Sequence, residues 1–207
     1  MHTTTPITAP PTAAAGVSGE RRVVRWGTVA AMAAPVLAVF AIGVGAPVYA
    51  DDMSEAANTT RFVIANAVTL GVLLALAVAL VGFYMRGERQ FTLTGHAGFL
   101  VALLGTIMAA GGAWDSLFAV PYIADKAPAM LDDPTGGSLL AGFVVSYLVL
   151  VIGWVLFAIA SKRAALAPKA ASIVLLVGSV VAILPAPTAL RLLPLSIGAA
   201  LVARAAR

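Results

Sequence analysis

Two charged side chains lie in or beside long apolar runs. Asp115 stands near the end of the stretch Gly95 to Asp125, and Arg191 near the start of the last apolar stretch. Charge at such depth is costly in lipid, so these groups face protein or water and often pair. This spacing raises the expectation of an Asp115–Arg191 ion pair lining an outer vestibule, as a gate or as a contact for a polar substrate. The plainer reading lets each reach the headgroup layer separately, with Arg191 extended along apolar surface and Trp114 as an interface anchor. Four weaker polar candidates accompany them. His96 opens the run that Asp115 closes, but has no neighbouring acid with which to relay a proton. Asn66, Ser146 and Tyr147 are expected to hydrogen-bond across helices, a structural role worth about 1 kcal/mol each.

Other chemistries lack their residues. No His, Asp and Glu cluster has metal-ligand spacing, no glycine loop precedes a Lys-Ser/Thr pair, and no G-x-S-x-G motif occurs. Cysteine is absent, which excludes disulfides and thiolate chemistry. A pair of intramembrane aspartates would need two, and only Asp115 comes near qualifying. A remote alternative is a lipid-modifying enzyme using Asp115, Asp125, Asp132 and Asp133 with a metal. However, Asp132-Asp133 precede Pro-Thr-Gly-Gly and read as a turn. The expectation is therefore a protein that is not an enzyme and takes no cofactor.

The elements that must hold these residues are membrane helices. The 207 residues are 61% apolar and 11% charged, with a mean hydropathy of +0.99. A water-soluble fold of this length could not bury that much apolar surface, so the solvent is lipid. The fold class is all-α, a transmembrane bundle with six expected spans at about 26–47, 62–85, 95–118, 138–160, 170–184 and 188–203. Residues 1–19, rich in Thr, Ala and Pro and including His2, read as a disordered tail, leaving 20–207 as one domain. Pro35 is expected to kink the first span, and the residues from Pro121 to Gly137 to form a loop. The last two spans are short: fifteen or sixteen residues cover about 23–24 Å of a hydrocarbon core of about 30 Å. Val48-Tyr49-Ala50 before Asp51 would suit a signal-peptide cleavage site, but the preceding run is long for one, and an uncleaved first helix is the expectation.

Lys and Arg sort by loop. With the N-terminus inside, Arg21, Arg22, Arg25, Arg86, Arg89, Lys162, Arg163, Lys169, Arg204 and Arg207 lie inside, against Arg61, Lys126 and Arg191 outside. Ten against three in short loops places both termini in the cytoplasm. Seven of the nine acids fall outside, making that face electronegative. The net charge of +4 therefore reports orientation, and with no nucleic-acid motif no nucleic-acid partner is expected. The excess of arginine over lysine and the Ala, Val and Gly bias suggest a bacterial plasma membrane. Small residues Gly105, Ala109, Gly111 and Gly112 suit close helix packing. Leu103-Leu104-Gly105-Thr106 resembles Leu176-Val177-Gly178-Ser179, as a duplication of spans two and three in four and five would produce, though apolar helices also resemble one another by composition. The primary functional expectation is a multi-pass, non-enzymatic component or subunit, partnered by the bilayer and by another membrane protein or a second copy. The alternative is a small transporter or channel-like carrier with its vestibule near Asp115 and Arg191. A polar cavity reaching Asp115 and Asn66 would favour the alternative, and a sealed apolar core the component.

Overall fold

The computed structural model describes residues 12–46, 53–131, 137–184 and 186–205. Among these residues every regular element is helical. The helices are α1 (Thr12–Gly45), α2 (Met53–Ala57), α3 (Thr60–Gly87), α4 (Leu93–Lys126), α5 (Gly137–Arg163), α6 (Lys169–Val181) and α7 (Thr188–Arg204). Short 3₁₀ turns, Glu88–Gln90 and Pro128–Met130, follow α3 and α4. Helix is what lipid demands of such apolar runs, because it satisfies the backbone polar groups within each segment.

Four helices are long and apolar enough to cross a membrane: Gly19–Gly45, Thr60–Gln90, Leu93–Lys126 and Leu140–Arg163. The expected fifth and sixth spans are a packed pair of shorter helices. With 13 and 17 residues, α6 and α7 extend about 20 and 26 Å. Two local expectations also change. Helix α1 begins at Thr12, so residues 12–19 of the expected tail are helical. Helix α4 continues through Pro121 to Lys126, where a loop was expected. The physical reason is tertiary: Val120 and Ala124 pack with Ala56, Ala57 and Phe62 in a small separate core under α2, offsetting the hydrogen bond that proline removes. Pro35 likewise lies inside α1 without ending it.

The helices other than α2 form a ring in chain order. α1 packs on α3, α3 on α4, α4 on α5, α5 on α6, α6 on α7, and α7 returns to α1 and also touches α3. Three of these contacts are close crossings made by paired glycines. A methyl group added at Gly27 of α1 would stand 2.6 Å from the Cα of Gly82 on α3. One added at Gly105 of α4 would overlap the backbone of Leu150 on α5, and one at Gly153 of α5 would overlap Ala102 on α4. At the third crossing Gly178 of α6 meets Pro194 and Leu195 of α7, while Gly198 of α7 meets Leu175 of α6. Backbones approach this closely only without side chains between them, which is how lipid-embedded helices gain packing energy.

The second and third crossings share a register. Ala102, Gly105 and Thr106 take the places of Leu175, Gly178 and Ser179, and Leu150 and Gly153 those of Leu195 and Gly198. Both hydroxyls donate to the carbonyl four residues back, Thr106 to Ala102 at 2.6 Å and Ser179 to Leu175 at 2.7 Å. The likeness of 103–106 to 176–179 therefore belongs to two similar hairpins, α4–α5 and α6–α7. These are different pairings from the spans two-three and four-five that the duplication would join.

Candidate functional site

From the crossing at Gly105 and Leu150, α4 and α5 part toward the end of the bundle that holds α2 and Lys126. Gly111 and Gly112 on α4 and Gly142 on α5 have nothing within 4 Å of where a Cβ would stand. The space between the helices is a cavity of about 630 Å³. Its polar lining comes from Asn66 and Thr69 of α3, Asp115 and Ser116 of α4, Ser146 and Tyr147 of α5, and Thr188 of α7. Three methionines from different elements, Met53, Met108 and Met130, line its apolar part with Leu131, Leu140 and Phe143. A volume in this range suits a small molecule, and flexible thioethers adapt to varied apolar shapes.

The polar candidates divide between this cavity and the opposite end. Asp115 is exposed and lines the cavity. Arg191 is buried at 5% exposure, its Cζ 3.6 Å from the ring centre of Tyr147 and 4.7 Å from that of Phe143. Its Nη2 donates to Thr188 Oγ1 at 3.1 Å, and the Tyr147 hydroxyl donates to the same oxygen at 3.4 Å. Arg191 thus stands behind the cavity wall formed by Tyr147 and Thr188. The expected ion pair is not formed: among the described residues the salt bridge is Lys126 to Asp125, 2.8 Å apart and exposed. The guanidinium is buried against the α5 rings, while the carboxylate of Asp115 is exposed on α4.

Asn66 and Ser146 also line the cavity, but they do not bond across helices. Asn66 Nδ2 donates to Phe62 O at 2.9 Å and Ser146 Oγ to Gly142 O at 2.7 Å, each to its own helix. Tyr147 does cross, through Thr188. His96 crosses as well, sharing a 2.9 Å hydrogen bond between its Nδ1 and the Tyr84 hydroxyl. That pair lies far from the cavity, among Phe91, Phe99 and Phe157, with the Tyr84 and Phe99 ring centres 4.0 Å apart.

Two features went unforeseen. Trp154 Nε1 of α5 donates to Thr106 Oγ1 of α4 at 3.0 Å, a fully buried link beside the glycine crossing. Thr188 joins Tyr147 to Arg191. A hydroxyl directly after a close-packing glycine was the available signal for Thr106; Thr188 had none beyond its place before the sixth span. Past the cavity toward the basic end, Val72, Leu73, Leu76, Leu150 and Trp154 are all fully buried. The lining, among the described residues, offers a small molecule one carboxylate, several hydroxyls and a methionine-rich wall. Among the described residues no three His, Cys, Asp or Glu side chains converge as a metal site would require. No protein-family model, curated protein or solved structure matches this chain.

Proposed function

We propose that this is a non-enzymatic, multi-pass plasma-membrane protein, both termini cytoplasmic, that receives a small cationic amphiphile in an outward-facing cavity. The supporting observation is the cavity itself, about 630 Å³, which brings Asn66 and Asp115 together with three methionines. Among the described residues, Asp115 is its charged lining residue. Arg191 stands behind the wall formed by Tyr147 and Phe143 and outside the lining, so the charge a ligand meets directly is the carboxylate of Asp115. An alkyl tail would lie against the methionines and leucines, and the electronegative outer loops would attract the head.

A cavity reaching Asp115 and Asn66 is the feature expected of the carrier reading, but passage to the other side would have to open the α4–α5 crossing, where backbone meets backbone and the surrounding side chains are apolar. Binding is therefore preferred to transport.

The absence of cysteine makes the test direct. Gly112→Cys and Ser146→Cys should react with a membrane-impermeant maleimide applied to intact cells, and Thr106→Cys should not. Dodecyltrimethylammonium should slow labelling of Gly112→Cys, and the added change Asp115→Asn should weaken that protection. Labelling only after the cells are opened would reverse the orientation. Labelling without protection would remove the cationic ligand from the proposal.

A further inference from the structure

A second pocket lies at the opposite, basic end, between α1 and α3. The two helices touch at Gly27 and Gly82, and at Gly19, two turns back along α1, nothing stands within 4 Å of where a Cβ would be. The cleft that opens there, about 320 Å³, is lined by Glu20, Arg21 and Val24 of α1 and Arg86 of α3. Glu20, Arg21 and Val24 share one helical face, because residues three and four apart are neighbours. Arg86 is held in place from behind. Its Nη2 donates to Leu166 O at 2.8 Å, and its Cζ lies 5.9 Å from the Phe83 ring centre. A guanidinium has five N–H donors in a planar fork, so one bond to a carbonyl leaves others for a ligand. Arg21 is exposed, and among the described residues neither arginine is paired with Glu20.

We infer that this pocket binds the phosphate of an anionic phospholipid headgroup. Two arginines from different helices, one pre-positioned, match the bidentate geometry by which guanidinium groups recognise phosphate. The depth of the pocket in the bundle makes a lipid the source. The pocket residues lie in the first turns of a span that begins at Gly19, and Trp26, exposed at 67%, stands just beyond Val24, where tryptophan marks the headgroup level. Basic pockets between helices at that level meet lipid phosphates.

The test uses the full-length protein in nanodiscs of mixed phosphatidylglycerol and phosphatidylcholine, with the lipid retained on gentle extraction counted by native mass spectrometry. The wild type should retain phosphatidylglycerol in preference. Arg22→Gln removes the same surface charge one position away, outside the cleft, and should lower the preference by no more than about fivefold, the factor for one arginine near the membrane surface. Arg21→Gln, which also removes the hydrogen bonds to the phosphate, should lower it about tenfold further. Glu20→Gln, which removes the carboxylate from the pocket, should raise it. Both Arg21 and Glu20 are exposed, so these variants leave the packing intact. Equal losses for Arg21→Gln and Arg22→Gln would reduce the effect to diffuse surface charge and overturn the site. Inorganic phosphate that displaces the retained lipid and stabilises the protein equally well would overturn the assignment to lipid.

Discussion

Two glycines on one helix should respond oppositely to the same added methyl group. Gly105 and Gly112 of α4 are seven residues, about 10 Å, apart. At Gly105 a Cβ would overlap the backbone of Leu150, and backbone cannot swing aside as a side chain can. Gly105→Ala must therefore push α4 and α5 apart and strain the Gly153–Ala102 contact one turn away. Overpacking of this kind costs about 1–3 kcal/mol. At Gly112 the added methyl group meets nothing within 4 Å, so the substitution only trades glycine for a better helix former, a gain of about 0.5–1 kcal/mol. For a chain of this size each kcal/mol moves the melting temperature by about 2–4 °C. Gly105→Ala should thus melt about 2–12 °C below wild type in mild detergent, and Gly112→Ala slightly above it. Size-exclusion of samples heated in steps and detected by tryptophan fluorescence measures both. If the two variants shift alike, α4 and α5 do not part between these residues, and the cavity loses its geometric basis.

Three further substitutions probe individual contacts. Thr106→Val keeps shape but leaves the buried Trp154 Nε1 without its acceptor; it should cost about 1–3 kcal/mol in the same assay, while Thr106→Ser should stay near wild type. Ala165, in the turn between α5 and α6, has φ of +52°, a left-handed conformation costing about 1–2 kcal/mol for a residue with a Cβ. Glycine's greater freedom in the unfolded chain offsets about 0.5–1 kcal/mol of that, so Ala165→Gly should raise the melting temperature by at most about 6 °C. Arg191→Met removes the guanidinium from the Tyr147 and Phe143 rings and its bond to Thr188; a loss of about 2 kcal/mol is expected, with Arg191→Lys recovering only part, since an ammonium lacks the planar face. A melting curve unchanged by Arg191→Met would remove the stacked guanidinium as a support of the cavity wall.

Much of the architecture was readable from one-dimensional pattern. Apolar run length marked the four long helices, and the short final runs already suggested elements unlike the others. The small residues around Gly105 pointed to a close contact, though not to the helix that makes it. Among the singled-out polar residues, Asn66, Asp115, Ser146 and Tyr147 do share one cavity. The ion pair between Asp115 and Arg191 was one of two readings of opposite charges at similar depth, the other keeping them apart, and depth says nothing of direction around a helix axis. Asp115 is exposed on α4, and Arg191 is turned into the rings of α5.

Composition and run length determined that the chain folds as helices long and apolar enough to cross a membrane, because the transfer of apolar segments is a sum over residues and needs no knowledge of neighbours. Position in three dimensions decided the rest. Which glycines meet backbone and which face open space, where α4 and α5 separate, and how Thr188 joins Tyr147 to Arg191 all depend on pair contacts between residues tens of positions apart. The segment from Gly95 to Asp125 holds both cases: Gly105, closed against α5, and Gly112, open to the cavity, look alike in sequence and differ only in what the fold sets opposite them.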